Sequence, residues 1–266
     1  MDKLTKVKIL HTHFKGYLGD MKNVWEEYSY LVHLIESTET QAFAIESLFT
    51  SRTHPKTKEH AGGMRTRFMR GVNTKNHYID AIGIFENYIA SVVEFVYWDY
   101  PVKIGGGMDQ DKLFDLIIKS EDKESMLDSL IEEKIRSIFY GNPLDVFEKD
   151  KCKLELGKTF KDTYSVSMPL YREIVGRRNV LIHNSGRVDK KFLRENKDSS
   201  LQEGRKVVIS EDYLRGTIGL LIGIAAVTTK CVIEKIYKGE IQGTLSKSLA
   251  TFDKCLNNDW FKNLLI

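Results

Sequence analysis

Ala81, Phe85, Tyr88, Ile89, Val92 and Val96 follow one another at helical spacing until Pro101 ends the run. That period belongs to an α-helix and not to a strand, so it predicts an amphipathic helix over about 74–100 with one face committed to a core. A lone amphipathic helix is half exposed oil, and the rest of the chain must cover it. The remaining segments offer mostly helices for that purpose. Leu127, Leu130, Ile131, Ile135 and Ile138 form a buried stripe in a helix expected over 123–139, closed by Gly141 and Pro143. Ser210 caps a further helix expected over 211–237, in which Gly216, Gly219 and Gly223 would let a neighbour approach closely. With only four prolines in 266 residues, these patterns predict an all-α bundle.

The other segments are read as follows. Residues 22–50 are helical in pattern, with Thr38 and Gln41 resembling a capping box that starts a second helix there. His54-Pro55 and Gly62-Gly63 mark 51–63 as a linker. A short helix is expected over 111–118, mixed helix and loop over 145–164, and a short strand or extended connection over 206–209. The chain then divides into an N-terminal helical region (1–62) of unassigned role, a main domain (63–245) and a helical tail (246–266). Trp25, Trp98 and Trp260 are expected in the core.

A formal charge of +3, from 40 basic and 37 acidic residues, neither announces nor excludes a nucleic-acid partner. The cluster Lys56, Lys58, Arg65, Arg67, Arg70 and Lys75 is either a solvated surface or a track for an RNA backbone. Cys152, Cys231 and Cys255 are odd in number and far apart, which suits reduced thiols. His11, His13 and His33 lack supporting carboxylates or cysteines, so no metal is expected, and no cofactor. Gly105-Gly106-Gly107 lacks the closing Lys-Ser or Lys-Thr of a phosphate loop. The start of the chain is polar, and the apolar run 216–229 falls short of the roughly 20 residues that span a bilayer. A cytoplasmic protein without a membrane partner is expected.

One helix carries groups with chemical potential. Ser167 as N-cap, Pro169 in the first turn and Gly186 as terminator bound it. Leu170, Ile174, Leu181 and Ile182 define its apolar face, and Arg178 lies four residues from both Ile174 and Ile182. A guanidinium on a core-reading face needs a carboxylate, a carbonyl array, a partner chain or an anionic ligand. Asn179 and His183, four apart, share a face. Arg178 and His183 are about 140° apart around an ideal helix, so they converge only through the long arginine or through a second helix. The types suit metal-free cleavage of RNA. An imidazole titrates near neutrality and can move the protons of 2′-OH attack and 5′-O departure. A fixed guanidinium fork can hold charge on the phosphorane oxygens. Glu173, four residues before Arg177, is placed for a helical ion pair or for orienting the site, and Arg177 for the surface or a phosphate. Asn184 is placed to cap the helix end or assist there.

Arg177-Arg178-Asn179-Val180-Leu181-Ile182-His183 resembles the signature of the HEPN superfamily, an arginine and a polar residue followed by histidine near a helix end. Ile84–Ile89, Ile138–Pro143, Val207–Ile209 and Asp212–Leu214 resemble segments around that motif in the RiboL-PSP-like bacterial branch. The likeness runs over about 70–240. It implies a helical bundle, commonly a homodimer whose two Arg–His helices share a composite cleft, and a metal-independent endoribonuclease leaving 2′,3′-cyclic phosphate and 5′-OH ends. Arg178, Asn179 and His183 take the motif positions, and the family pattern implies Glu86 as a partner for Arg178 across the bundle. Phage defence, toxin–antitoxin pairing or RNA processing is the implied setting, with an antitoxin or defence-system partner. Some toxin members carry Tyr two residues after the histidine, where Ser185 stands here. Members without catalysis serve as modules binding RNA or protein, an alternative the motif leaves open, as it does a structural ion-pair role for Arg178.

Overall fold

The computed structural model describes residues 1–37, 44–47, 50–55, 63, 66–105, 120, 122–197 and 199–265. It is an all-α bundle. Helices α1 (Lys3–Ser37), α2 (Thr74–Asp99), α3 (Lys123–Ile138), α4 (Ser167–His183), α5 (Lys190–Glu195), α6 (Glu211–Cys231), α7 (Gly243–Asn257) and α8 (Trp260–Leu265) carry most of the described chain. A small antiparallel hairpin, β1 (Ala44–Ser47) with β2 (Thr50–Pro55), follows α1. Where a second N-terminal helix is expected from residue 38, the chain is therefore strand at 44–47 and again from Thr50. Its Thr38–Gln41 capping box lies outside the described residues, as do the helix expected over 111–118 and Lys56, Lys58 and Arg65 of the basic cluster.

The first helix starts much earlier than the pattern from residue 22 suggests. Asp2 accepts the Thr5 N–H at 2.8 Å and caps it. Val7, Leu10, Phe14, Tyr17, Met21, Val24 and Tyr28 then alternate by three and four residues, and all are buried. This is a seven-residue repeat, which keeps one apolar seam facing its neighbours through three heptads. The seam packs on α2 and α6. Residues on both sides of the expected boundary at 62 thus belong to a single hydrophobic core.

The α2–α6 pair is the centre of that core. Tyr88 Oη and Thr229 Oγ1 share a hydrogen bond of 2.5 Å across it, and the Tyr17 ring stacks on Tyr88 at 4.3 Å. Ser210 caps α6 by accepting the Tyr213 N–H at 3.0 Å. The glycines of α6 do admit close neighbours. A methyl group at Gly216 would press on Leu264 and Leu265, one at Gly219 on Trp260 and Phe261, and one at Gly223 would overlap the Phe252 ring. Together with the π-helical turn Val232–Ile236, α6 makes a continuous helix of 26 residues whose 18-residue apolar window has mean hydropathy 1.8. That is long enough to cross a bilayer, so length does not set it apart from a membrane span as the shorter run 216–229 suggested. Of its apolar window, 83% lies inside the protein. Trp98 departs from the expected core role and is exposed, while Trp25 and Trp260 pack partly buried against the core.

The helix α4 is fixed to this frame at its buried side. Tyr78 Oη donates to the Ile174 carbonyl at 2.5 Å, and Tyr171 sits edge-on to Phe85 at 5.6 Å and to Phe147 at 5.3 Å. Such aromatic pairs add about 0.5–1.5 kcal/mol each beyond the area they bury. The segment before α4 is short helical turns, Pro143–Val146 and Thr159–Thr163, in keeping with its weak periodicity. Residues 206–209 form an extended connection that meets the α4 exit through one bridge, Arg187 with Lys206.

Candidate active site

The six residues expected at the site all lie on α4 or at its end, and their surroundings differ from the expectation in an informative way. Ser167 is the first helical residue and not the cap; its hydroxyl donates back to the Tyr164 carbonyl at 2.6 Å, and Val166 occupies the cap position without a side-chain bond. The buried face runs through Met168, Leu170, Tyr171, Ile174, Val175, Arg177, Val180 and Leu181. Ile182 is 47% exposed and so lies off that face. The consequence is a rotation of the whole reading. Arg177, expected at the surface, is the buried arginine, and Arg178 stands at the rim.

Arg177 is 8% exposed. Its Nε donates to Glu173 Oε1 at 2.5 Å, and its guanidinium lies 4.0 Å from the centre of the Tyr213 ring. The Tyr213 hydroxyl donates to the other Glu173 oxygen. Glu173 therefore takes the ion-pair role foreseen for it, but inside the protein. Burial pushes the Glu173 carboxyl above its ordinary range, against the opposing pull of Arg177 and the Tyr213 hydrogen bond. Burial and the nearby Tyr78 and Glu173 likewise push the Tyr213 phenol well up, so it remains a donor.

Arg178 reaches across to α2, where its Nη2 pairs with Glu86 Oε2, the partner that the resemblance implied. Its Nη1 donates to Asn179 Oδ1 at 3.1 Å. The Arg178 side chain keeps 23% and the Glu86 side chain 19% of their surfaces open. Burial raises the Glu86 carboxyl, and Arg178 pulls it back down. The fork is thus oriented by two neighbours while part of it faces outward.

His183 occupies the last turn of α4 and is exposed. The helix end beneath it is tightly determined. The Asn184 and Gly186 N–H groups both donate to the Val180 carbonyl, at 3.1 and 3.0 Å. Ser185 adopts φ +52° and Gly186 φ +74°, the left-handed turn that closes a helix. The Asn184 side chain donates to the Arg187 carbonyl at 2.7 Å, so it pins the exit loop. Val207 N–H donates to the Gly186 carbonyl at 2.8 Å, which fastens the extended segment to the same point. Exposed Val208 and Ile182 adjoin this end of the helix.

Arg178 and His183 are therefore presented on one rigid helix, on faces about 140° apart as its geometry requires, and a single chain does not aim both at one point along the axis. A cavity of about 520 Å³, including open solvent, lies nearer the start of α4 beside Glu173 and Arg177, and Arg178 and His183 do not line it. Among the described residues no cluster of His, Cys, Asp and Glu has the make-up of a metal site. Two residues escaped the sequence reading. Tyr213 and Tyr78 complete the Arg177 cluster from other helices, a contact that no spacing within one helix can reveal. No family model, curated protein or solved structure matches the chain.

Proposed function

We propose that the chain is a metal-independent endoribonuclease of the HEPN type, cleaving RNA by 2′-OH attack to leave 2′,3′-cyclic phosphate and 5′-OH ends. His183 is the general acid or base, Arg178 the clamp on the phosphorane oxygens and Asn179 a positioning donor. The observation that carries the reading is the state of Arg178. It is held at the rim by Glu86 and Asn179, partly open, on the same helix as a solvent-facing histidine. A guanidinium pre-oriented in this way spends little of its electrostatic effect on reorganisation when phosphate charge develops. Glu86 aligns it, and a phosphodiester competes for its outward donors.

Because the two groups diverge around the helix, the active form is a homodimer in which the α4 ends of two copies meet and each phosphate is served by both. The exposed apolar pair Ile182 and Val208 beside His183 suits such a contact. A cytoplasmic setting in phage defence or a toxin-type system, with an antitoxin or defence partner, belongs to the same reading.

The ion pair to Glu86 also favours a second reading, in which Arg178 is satisfied within one chain and the protein is a silent module that binds RNA or a partner. Purified protein incubated with total RNA and EDTA separates the two. The ribonuclease reading expects cleavage with cyclic-phosphate ends, and a loss of about 10²–10⁴-fold in rate for His183→Ala with unchanged helical content. Absence of cleavage by the wild type as a dimer would leave only the binding module.

A further inference from the structure

Beyond the Arg178–His183 end, α4 carries a second cationic feature. A cleft of about 1190 Å³, open to solvent, lies between α4, α5 and the turn at Gly141-Asn142, and its lining includes Arg172, Lys191, Arg194 and Lys197 against the single carboxylate of Glu195. None of these four cations has an ion-pair partner among the described residues. This contrasts with Arg177 and Arg178, both of which are paired. Arg172 is the telling member. Its Nε is buried and has no hydrogen-bond partner. A buried charged donor left unsatisfied is costly and is ordinarily explained by a missing acceptor. Lys191 and Arg194 stand on the exposed side of α5, whose Phe192 is buried, and exposed Lys197 follows just past its Asn196 cap. Phe192 and Asn196 press against Gly176 of α4, where a side chain would leave no room. That packing fixes α5, and with it the three cations, relative to Arg172. The arrangement is a held array and not a frayed tail.

Arg172 also lies within about 20° of Asn179 and His183 around an ideal helix and about 16 Å from His183 along its axis. The cleft and the histidine are thus on one side of α4, on either flank of the α5 crossing.

We propose that this cleft binds the phosphodiester backbone of a single RNA strand whose scissile bond lies at the His183 end. The naming of RNA rests on the ribonuclease reading above; the recognition of phosphate rests on the four cations alone. Arg172 supplies the directional fork, while Lys191, Arg194 and Lys197 supply charge without base selectivity.

The test is equilibrium binding of a fluorescein-labelled single-stranded RNA to His183→Ala protein, with and without the triple substitution Lys191→Ala, Arg194→Ala, Lys197→Ala, over a range of salt. These three side chains are exposed, so the fold is retained, and circular dichroism verifies it. The expected result is a loss of about tenfold or more in affinity and a flattening of the log–log salt slope by about 2, since each phosphate contact on a single strand contributes roughly 0.7. Arg172→Lys, which keeps the charge and removes the fork, weakens binding with the salt slope unchanged. Unaltered affinity and slope in the triple variant would overturn the proposal, as would tighter binding of polyglutamate than of RNA. Competition by inorganic phosphate or a nucleoside monophosphate at concentrations equal to those of RNA nucleotides would also overturn it, by showing a site for a small anion. Failure of this site leaves cleavage by the wild type intact, whereas failure of the ribonuclease reading abolishes cleavage and leaves the binding difference standing.

Discussion

Arg177 carries its guanidinium into the space between Glu173 and the Tyr213 ring, while Arg178, one residue later and about 100° further around the helix, ends at the rim beside Glu86 and Asn179. Each has one carboxylate partner, but the surroundings of the two pairs differ. The interior pair is closed by a third group, because the Tyr213 hydroxyl takes up the second Glu173 oxygen. The rim pair has no such closure, and part of the Arg178 fork is open. A closed pair holds helices together and has little capacity left for a ligand. An open one is available to an incoming phosphate. What separates a structural arginine from a chemical one is then the number of its donors still facing outward, and not its sequence context.

The largest expected effect falls on the interior pair. Arg177→Ala leaves the Glu173 carboxylate buried without its cation, which costs about 3–5 kcal/mol of stability. Replacing both partners by apolar residues, Arg177→Met with Glu173→Leu, recovers most of that loss, because the penalty comes from the stranded charge. Urea denaturation reads both. A single variant as stable as the wild type would show that the two arginines are not different in kind.

The rim pair is expected to behave in the opposite sense. Arg178→Ala costs only about 1 kcal/mol in stability, since water reaches Glu86 once the arginine is gone, yet lowers the cleavage rate by about 10²–10³. Glu86→Gln keeps the fork nearby but loosens its alignment, so its deficit appears in kcat more than in KM. The comparison sharpens if 0.5 M salt changes the Arg178→Ala stability difference and leaves that of Arg177→Ala alone, because only exposed charges are screened.

Much of this was legible in the sequence. The helix 74–99 announced itself through its period and its proline stop, and the α6 glycines through the need for small residues where Phe252 and the α8 side chains approach. The pairing of Glu173 with Arg177 followed from helical spacing, and that of Glu86 with Arg178 from the family resemblance alone. The phase of α4 was not legible. Ile182 is apolar and so reads as core, and that one residue turns the predicted face far enough to exchange the roles of Arg177 and Arg178. The seam of α1 was present from Val7 onward but is interrupted by aromatic and polar-tipped residues, Tyr17 and Tyr28 among them, whose burial depends on partners far away in the chain. Tyr213 and Tyr78 reach Glu173 and Ile174 from other helices, and the Arg172 cleft needs α5 to fold back over Gly176. Such convergence is tertiary information.

The smallest expected effect is a slope with pH, and it tests the comparison without touching either arginine. Burial raises both Glu173 and Glu86 above the ordinary glutamate value of 4.5. A carboxyl whose pKa is higher folded than unfolded binds its proton more readily in the native state. Stability from such a group is therefore greatest below about 4.5, declines as pH rises through the folded value, and levels off above it. Denaturation midpoints of wild type, Glu173→Gln and Glu86→Gln between pH 4 and 7 isolate each contribution as a difference in slope. Both glutamine variants should lose less stability than the wild type as pH rises across that window. The Glu86 contribution should grow in high salt, since screening of its partly open pair weakens the downward pull of Arg178, and the Glu173 contribution should change little. Equal salt sensitivity of the two slopes would mean that water reaches the Glu173–Arg177 pair as easily as the rim, and the distinction between a closed and an open arginine would not hold.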